Sequence, residues 1–447
     1  MIADLQVQRL LTRASFGARP GELTAIDSDP EAWLREQLLL QPDPELEARL
    51  RKFPLLALEP TELIVGMESS QMQRAGRAKV SEEAKRAMRE RNRDVTTELV
   101  GARLVRAVHA RSQLREVMVD FWSNHFNIFA RKGWVATALP QFDRDAIRLH
   151  ALGRFGDLLL ATARSPAMLF YLDNWMSTTP QGPLRRRRRR RGAGINENYA
   201  RELLELHTLG VGGGYTQDDV REVARVFTGW TLESRRLPIF RFRDELHDPG
   251  RKTVLGARVR GDGAEEAEWL LARLARLPST AHFLSRKLAV RFIGDNPPPA
   301  LVERAARHYL ETDGDIARVV SLILLSPEFA DPARPKLKTP LRFVASALRA
   351  TGGETDGSRR FATLLKRLGE LPHHARTPAG YPETSSHWID PAAMLERMGL
   401  SFALASGRVP GARLGRHWPE GVSAAAPGLR RPEAITVALA SPEFQWT

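Results

Sequence analysis

The sequence predicts a mainly α-helical fold, a large multi-helical body with one small β-hairpin or extended insertion. Apolar residues recur at helical spacing through most of the chain, Gly- and Pro-rich breakers separate these stretches, and only one segment alternates as a strand does. At 447 residues the chain exceeds what one hydrophobic core usually supports, so two closely packed subdomains or one large helical body with insertions are implied. The expected divisions are an N-terminal helical region (1–177), an arginine-rich loop (178–194), a central helical region with a motif helix and the extended insertion (195–345), and a C-terminal region of loop and helices (346–447).

Leu5, Leu10 and Leu11, then Trp33, Leu34 and Leu38, predict two helices on either side of the breaker Gly17-Ala18-Arg19-Pro20-Gly21. Residues 69–94 are rich in Ala, Arg, Glu and Lys with few large apolar side chains, the composition of an exposed helix or arm. From Thr96 to Phe129 one long helical stretch is expected, aromatic towards its end. Residues 178–194 lack periodicity, and the run Arg185 to Arg191 repels itself, which predicts a solvated loop. Beyond it Asn196 to Leu209 reads as a helix, Gly210 to Gly214 as its stop, and Thr216 with Asp219 as the capping box that opens the next. Ile239-Phe240-Arg241-Phe242, between Thr231 and Leu255, alternates as a hairpin strand would and marks the one strand region expected. Helices resume beyond Glu265. Pro378, Pro382 and Pro391 surround Tyr381, His387 and Trp388 and predict an irregular, packed loop before the last helices. The phrase Ser-Pro-Glu-Phe occurs at Ser326 and again at Ser441, too short an echo to make a repeat.

A hydrophobic fraction of 43% against 27% charged permits a sizeable core. No apolar run approaches the roughly 20 residues that cross a bilayer. Charges interrupt the N-terminal stretch where a secretory signal would be unbroken, so a cytoplasmic location is expected. Without cysteine, disulfides, thiolate zinc sites and a cysteine nucleophile are excluded, and any metal must use oxygen and nitrogen ligands. The net charge is +14, from 67 Lys and Arg against 53 Asp and Glu, and the seven consecutive arginines account for half of it. The rest is scattered, with no aromatic-basic module or helix-turn-helix, so a nucleic-acid partner is not expected. Phosphate-binding glycine loops, HExxH pairs and a Gly-x-Ser-x-Gly elbow are all missing from the sequence.

Three constellations could carry chemistry. On a helix from Asn196, at roughly 100° per residue, Asn198, Arg201, Glu202, Glu205 and Thr208 share one face, with Tyr199, Leu203 and Leu206 opposite. Glu202 and Glu205, one turn apart, can hold a divalent cation through oxygen ligands or act as acid and base, and Arg201 can grip an anionic substrate group or neutralise the pair. The alternative is a charged interhelical network, and His207 turns to the apolar side as a core histidine. In the second, Asp120, Ser123, Asn124 and Asn127 align among aromatics. They either form a buried hydrogen-bonded network or wall a pocket with His125 as proton carrier. The third joins Asp218, Asp219, Arg221, Arg225 and Phe227-Thr228-Gly229-Trp230 to His247, Asp248 and Lys252 in the extended loop. There His247 and Asp248 are either catalytic groups or part of a turn that Asp248 stabilises before Pro249 and Gly250. Asn124, Asn196, Asn198, Trp230 and Lys252 are the candidate substrate-binding residues.

Taken in order, Leu10 to Gly17, Phe121 to Phe126, Asn196 to Gly210, Phe227 to Trp230, His247-Asp248 with Gly250 and Lys252, Lys336 to Pro340, Tyr381-Pro382 with Trp388, and Ala440 to Gln445 resemble the bacterial family of unknown function numbered 1800 over nearly the whole chain. The resemblance implies no reaction and assigns no catalytic residue. Members are often encoded beside a second family similar to sulfatases and alkaline phosphatases, which implies a sulfatase-like partner protein in an export or surface process. The arginine tract and the stretch from Ser406 to Pro432 match none of these motifs.

Two functions compete. In the first, helices at 120–127 and 196–208 converge with the His247 loop on a carboxylate- and histidine-lined polar pocket of hydrolase type, metal-assisted or not, where Glu202 or Glu205 is base or cation ligand and His247 and Asp248 move protons. In the second, the same polar residues lock helices together in a non-catalytic assembly or adaptor protein, whose basic loop docks an acidic partner.

Overall fold

Residues 82–109 combine strong helix formers with buried apolar positions from Val95 onward, and they form the longest helix among the described residues, Glu82–His109. The fold is known from a computed structural model that describes every residue except 1, 27–28, 40, 69–81, 180–193, 235–237, 332, 416 and 418–428. The chain is mainly helical, as its periodicity implies, and among the described residues strands form only short two-stranded pairings. The arginine tract and the first part of the expected exposed arm lie outside the described residues.

The single helix expected from Thr96 to Phe129 is two, because the chain breaks between His109 and Gln113. Gln113 causes the break by using its side chain on backbone groups: Nε2 donates to Ala110 O at 2.8 Å, and Oε1 accepts from Phe16 N at 3.1 Å. The following helix, Gln113–His125, is buried along nearly its whole length. Around these two, one continuous hydrophobic core draws residues from Leu10 to Phe444 and so from both ends of the chain.

Buried arginines tie this core to the termini. Arg13 donates to Phe292 O at 2.9 Å and Ile293 O at 2.6 Å, two carbonyls orphaned at the end of the Pro278–Phe292 helix, and to Thr447 O at 2.7 Å. Arg342, in the Pro340–Ala350 helix, donates in turn to Thr12 O, Arg13 O and Ser15 O at 2.6–3.0 Å. Both Ser-Pro-Glu-Phe phrases open short helices, with Ser326 and Ser441 capping Phe329 N and Phe444 N.

The hairpin forms where alternation placed it, Trp230–Leu232 pairing antiparallel with Phe240–Phe242. Gly229 precedes it at φ +85°, where a Cβ would lie 2.8 Å from Arg243 O. Strand pairing is not confined to that region: Glu354–Thr355 pairs with Ala412–Arg413. Two-residue ladders carry no alternation to read, so no local pattern marks this one.

The Asn196 segment starts its helix at Asn198, since Asn196 Oδ1 accepts from Asn198 N in an Asx turn. From Leu203 to Thr208 the helix widens to π geometry. Thr208 therefore leaves the polar face it was assigned. It is fully buried, and its hydroxyl donates five residues back to Leu203 O at 2.6 Å. Gly210 ends the segment at φ +84°, and the Thr216–Asp219 capping box opens the next helix as expected. Among the described residues no helix is long and apolar enough to cross a membrane.

Candidate functional site

The polar face of the Gln113–His125 helix does not look outward. Asp120, Ser123 and Asn124, with Asn127 just beyond the helix, line a partly enclosed cavity of about 30 Å³ together with Arg103, Arg291, Thr339, Glu370, His373, Tyr381 and Glu383. Such a space holds a water molecule or two and nothing larger. Three of the segments quoted from the sequence meet there, around Phe121 to Phe126, Lys336 to Pro340 and Tyr381 to Trp388.

Asparagines fasten the cover. Asn124 and Tyr381 exchange two hydrogen bonds, Nδ2 donating to Tyr381 O at 2.8 Å and Tyr381 N donating to Oδ1 at 2.7 Å. Asn127 Nδ2 donates to Ala375 O and Thr377 O at 3.0 and 2.8 Å. Gly380, at φ +74°, lies so close that any side chain would collide with Asn124. The proline-rich loop is thus the packed cover that its composition suggested.

Inside, charges alternate. Arg291 donates to Asp120 Oδ2 at 2.9 Å and to Glu383 Oε2 at 3.3 Å. Arg103 lies 3.8 Å from Asp120 Oδ1, donates to Ser123 Oγ at 2.7 Å, and reaches Asp143 at 3.3 Å. Burial alone would lift the Glu383 carboxyl, but the Arg291 guanidinium and the Lys336 and Lys287 ammoniums outweigh it and hold this group below its ordinary range. At Glu370 the balance reverses, even though Thr339 and the Arg291 guanidinium favour its ionised form. Burial first, and the Asp120 charge second, push its carboxyl up to about 7, although its Oε2 accepts from Leu341 N at 2.8 Å.

His373 adds an imidazole. It sits at φ +59°, a left-handed conformation that costs a bulky residue on the order of 1 kcal/mol or more. Burial, and then the Arg103 charge, depress its pKa to about 3, so the ring is neutral. The Ile128 backbone reaches the ring and Thr339 reaches the Glu370 carboxyl, while the buried Arg291 Nε is left without a partner, which suits a cavity occupied by solvent.

The other sequence candidates lie in separate surroundings. His125 turns from the cavity into a cage of Trp122, Phe126 and Phe155. There Nε2 meets His207 O at 3.2 Å and Nδ1 meets Lys287 Nζ at 2.9 Å, so the expected proton carrier of the pocket is a core residue. His207 is buried, as expected. Glu202 and Glu205 are half-buried neighbours; burial and the Glu205 charge raise Glu202, and Tyr215 Oη donates to Glu205 at 3.4 Å. Arg201 pairs with Glu197 at 3.3 Å and Gln217 at 3.0 Å. Asn196 and Asn198 donate to Asp173 O and Leu172 O.

His247 is buried, with Nδ1 2.8 Å from Thr228 O and Nε2 3.2 Å from Glu266, which also takes the wholly buried Lys252 at 2.6 Å. Asp248 accepts from Arg225 Nε at 2.9 Å and Gly250 N at 2.8 Å, the geometry of the stabilised turn. Trp230 is fully buried between Phe227 and Phe240. Among the described residues no hydrogen bond, ion pair or ring contact links Glu202 or Glu205 to His125 or His247, and no group of three or more His, Asp or Glu side chains is set to hold a metal ion.

Sequence reasoning reached Asp120, Ser123, Asn124, Asn127 and Tyr381 but missed Arg103, Arg291, Glu370, His373 and Glu383. The last three lie within or beside the proline-rich loop, where a histidine and two carboxylates among prolines were the available signal.

No curated protein and no solved structure matches the chain. The family model described as "Protein of unknown function (DUF1800)" matches residues 9–446. The match spans nearly the whole chain, and the chain belongs to the DUF1800 family.

Proposed function

We propose that the protein is an acid–base enzyme of the hydrolase type and that the Asp120–Glu370–His373 cavity, rather than the Asn196–Leu209 segment, supplies its reacting groups. Glu370 carries this reading. A buried carboxyl pushed up to about 7 exchanges its proton near neutral pH, and it stands beside a second carboxylate, Asp120, held by Arg291 and Arg103. A carboxyl that exchanges its proton near neutral pH and a second carboxyl, around a space for water, provide a base to take the water's proton and an acid to protonate the leaving group. The guanidiniums of Arg103 and Arg291 favour negative charge developing on the substrate. Substrate would enter by displacement of the Tyr381–Pro382 cover, which Asn124 holds by two hydrogen bonds.

A non-catalytic assembly role, with the sulfatase-like protein as a partner, is the second reading; the uncovered apolar face of the Pro391–Ala405 helix favours it. A panel of chromogenic esters, phosphate esters and glycosides tests the first. Turnover should follow a group titrating near 7, vanish in Glu370→Gln and survive in Glu205→Gln and His247→Gln. Turnover lost in Glu205→Gln but kept in Glu370→Gln would move the chemistry to the motif helix. No turnover of any substrate class, with Glu370→Gln folded and more stable at pH 8, would overturn the enzyme reading in favour of assembly.

A further inference from the structure

We propose that two copies of this chain pair through the Pro391–Ala405 helix, antiparallel about a two-fold axis at Met398 and Gly399. The inner face of that helix is fixed to the body: Arg397 donates to Gln445 Oε1 at 2.8 Å and Lys338 O at 2.7 Å, and Leu400, Ser401 and Leu404 are buried. Among the described residues nothing covers its outer face. Leu395, Met398 and Phe402 are 68%, 53% and 44% exposed. At roughly 100° per residue they fall within one arc of about 100° with Pro391 and Gly399, and no charged residue of the helix lies inside it. Soluble surfaces scatter single apolar residues freely, but a continuous helical stripe marks a place where another surface docks.

Three features select a second copy in the antiparallel sense. Gly399 lies at the middle of the stripe, and a Cβ there would meet nothing within 4 Å, so two backbones can approach where the helices cross. Centred there, Leu395 meets the partner's Phe402 and the reverse, which makes the stripe complementary to itself, as an isologous contact requires. Charge agrees with the sense. Asp390 caps the N-terminus, while Arg408 follows the C-terminus and lays its guanidinium 5.3 Å from the Phe402 ring. Antiparallel pairing sets each Asp390 beside the partner's Arg408, whereas parallel pairing sets like charges together. The proposal is independent of any chemistry at the Glu370 cavity.

Because the chain has no cysteine, single cysteines report the contact directly. Sedimentation of the full chain should give twice the 50.1 kDa protomer mass at high concentration, with Phe402→Glu reverting to the single mass. Under mild oxidation Met398→Cys should cross-link to itself. Leu395→Cys and Phe402→Cys should cross-link when mixed but not alone. A single mass at all concentrations with no cross-link at Met398→Cys would overturn the proposal and leave the stripe to a different protein. Self-linking of Leu395→Cys without the mixed product would overturn the antiparallel register. Near-native melting of the cysteine variants guards against misfolding as the cause of a negative result.

Discussion

Replacing Glu370 by Gln should change how stability depends on pH in a direction set by burial. In the folded chain the Glu370 carboxyl binds its proton up to about pH 7, whereas in the unfolded chain it ionises near 4.5. The folded state therefore holds more protons between these values, and the contribution is fully present below pH 4.5 and lost as pH rises through 7. At about 1.4 kcal/mol for each pH unit, the whole effect is about 3 kcal/mol. Gln keeps the acceptor for Leu341 N but cannot ionise. Relative to wild type, Glu370→Gln should gain about 3 kcal/mol on moving from pH 4.5 to pH 8. Taking the difference of two chemical-denaturation curves at each pH is essential, because His373 opposes Glu370. The folded His373 ring is neutral down to about pH 3 while the unfolded one charges near 6.5. Its contribution is present above 6.5 and lost as pH falls through 3, so the two slopes partly cancel in the wild type between pH 4.5 and 6.5. A flat difference from pH 4.5 to 8 would refute the placement of Glu370 in a buried setting beside the Asp120 charge.

Other consequences follow from the same geometry. Arg291→Met leaves Asp120 and Glu383 buried without their shared guanidinium and should cost about 3–5 kcal/mol at pH 8, less at pH 5, in urea denaturation. Asn124→Ala removes both hydrogen bonds to Tyr381 and should cost about 2 kcal/mol, with faster amide exchange confined to residues 371–388 by mass spectrometry. Gly229→Ala forces a Cβ against Arg243 O at 2.8 Å in a left-handed turn, and a loss of about 2 kcal/mol or more is expected in the same assay. Glu205→Gln touches only a half-exposed carboxyl and a weak Tyr215 contact, so its stability should stay within about 0.5 kcal/mol of wild type.

The sequence by itself determined the helical class, the hairpin at Trp230–Leu232, the Thr216–Asp219 cap, the core position of His207 and the packed loop around Tyr381, because each depends on periodicity, capping or turn chemistry within a few residues. It also aligned Asp120, Ser123, Asn124 and Asn127, a local property of helical spacing. Tertiary structure alone decided what that face meets. Arg291 and Glu370 reach Asp120 from 171 and 250 residues away, and no local pattern marks either partner. A π turn of one extra residue was enough to turn Thr208 from the predicted polar face into the core. Glu202, Glu205 and His247 looked like acids and bases because of their residue types. Whether such groups exchange protons near neutral pH depends on desolvation and on neighbouring charge, and both are set only when distant segments pack together.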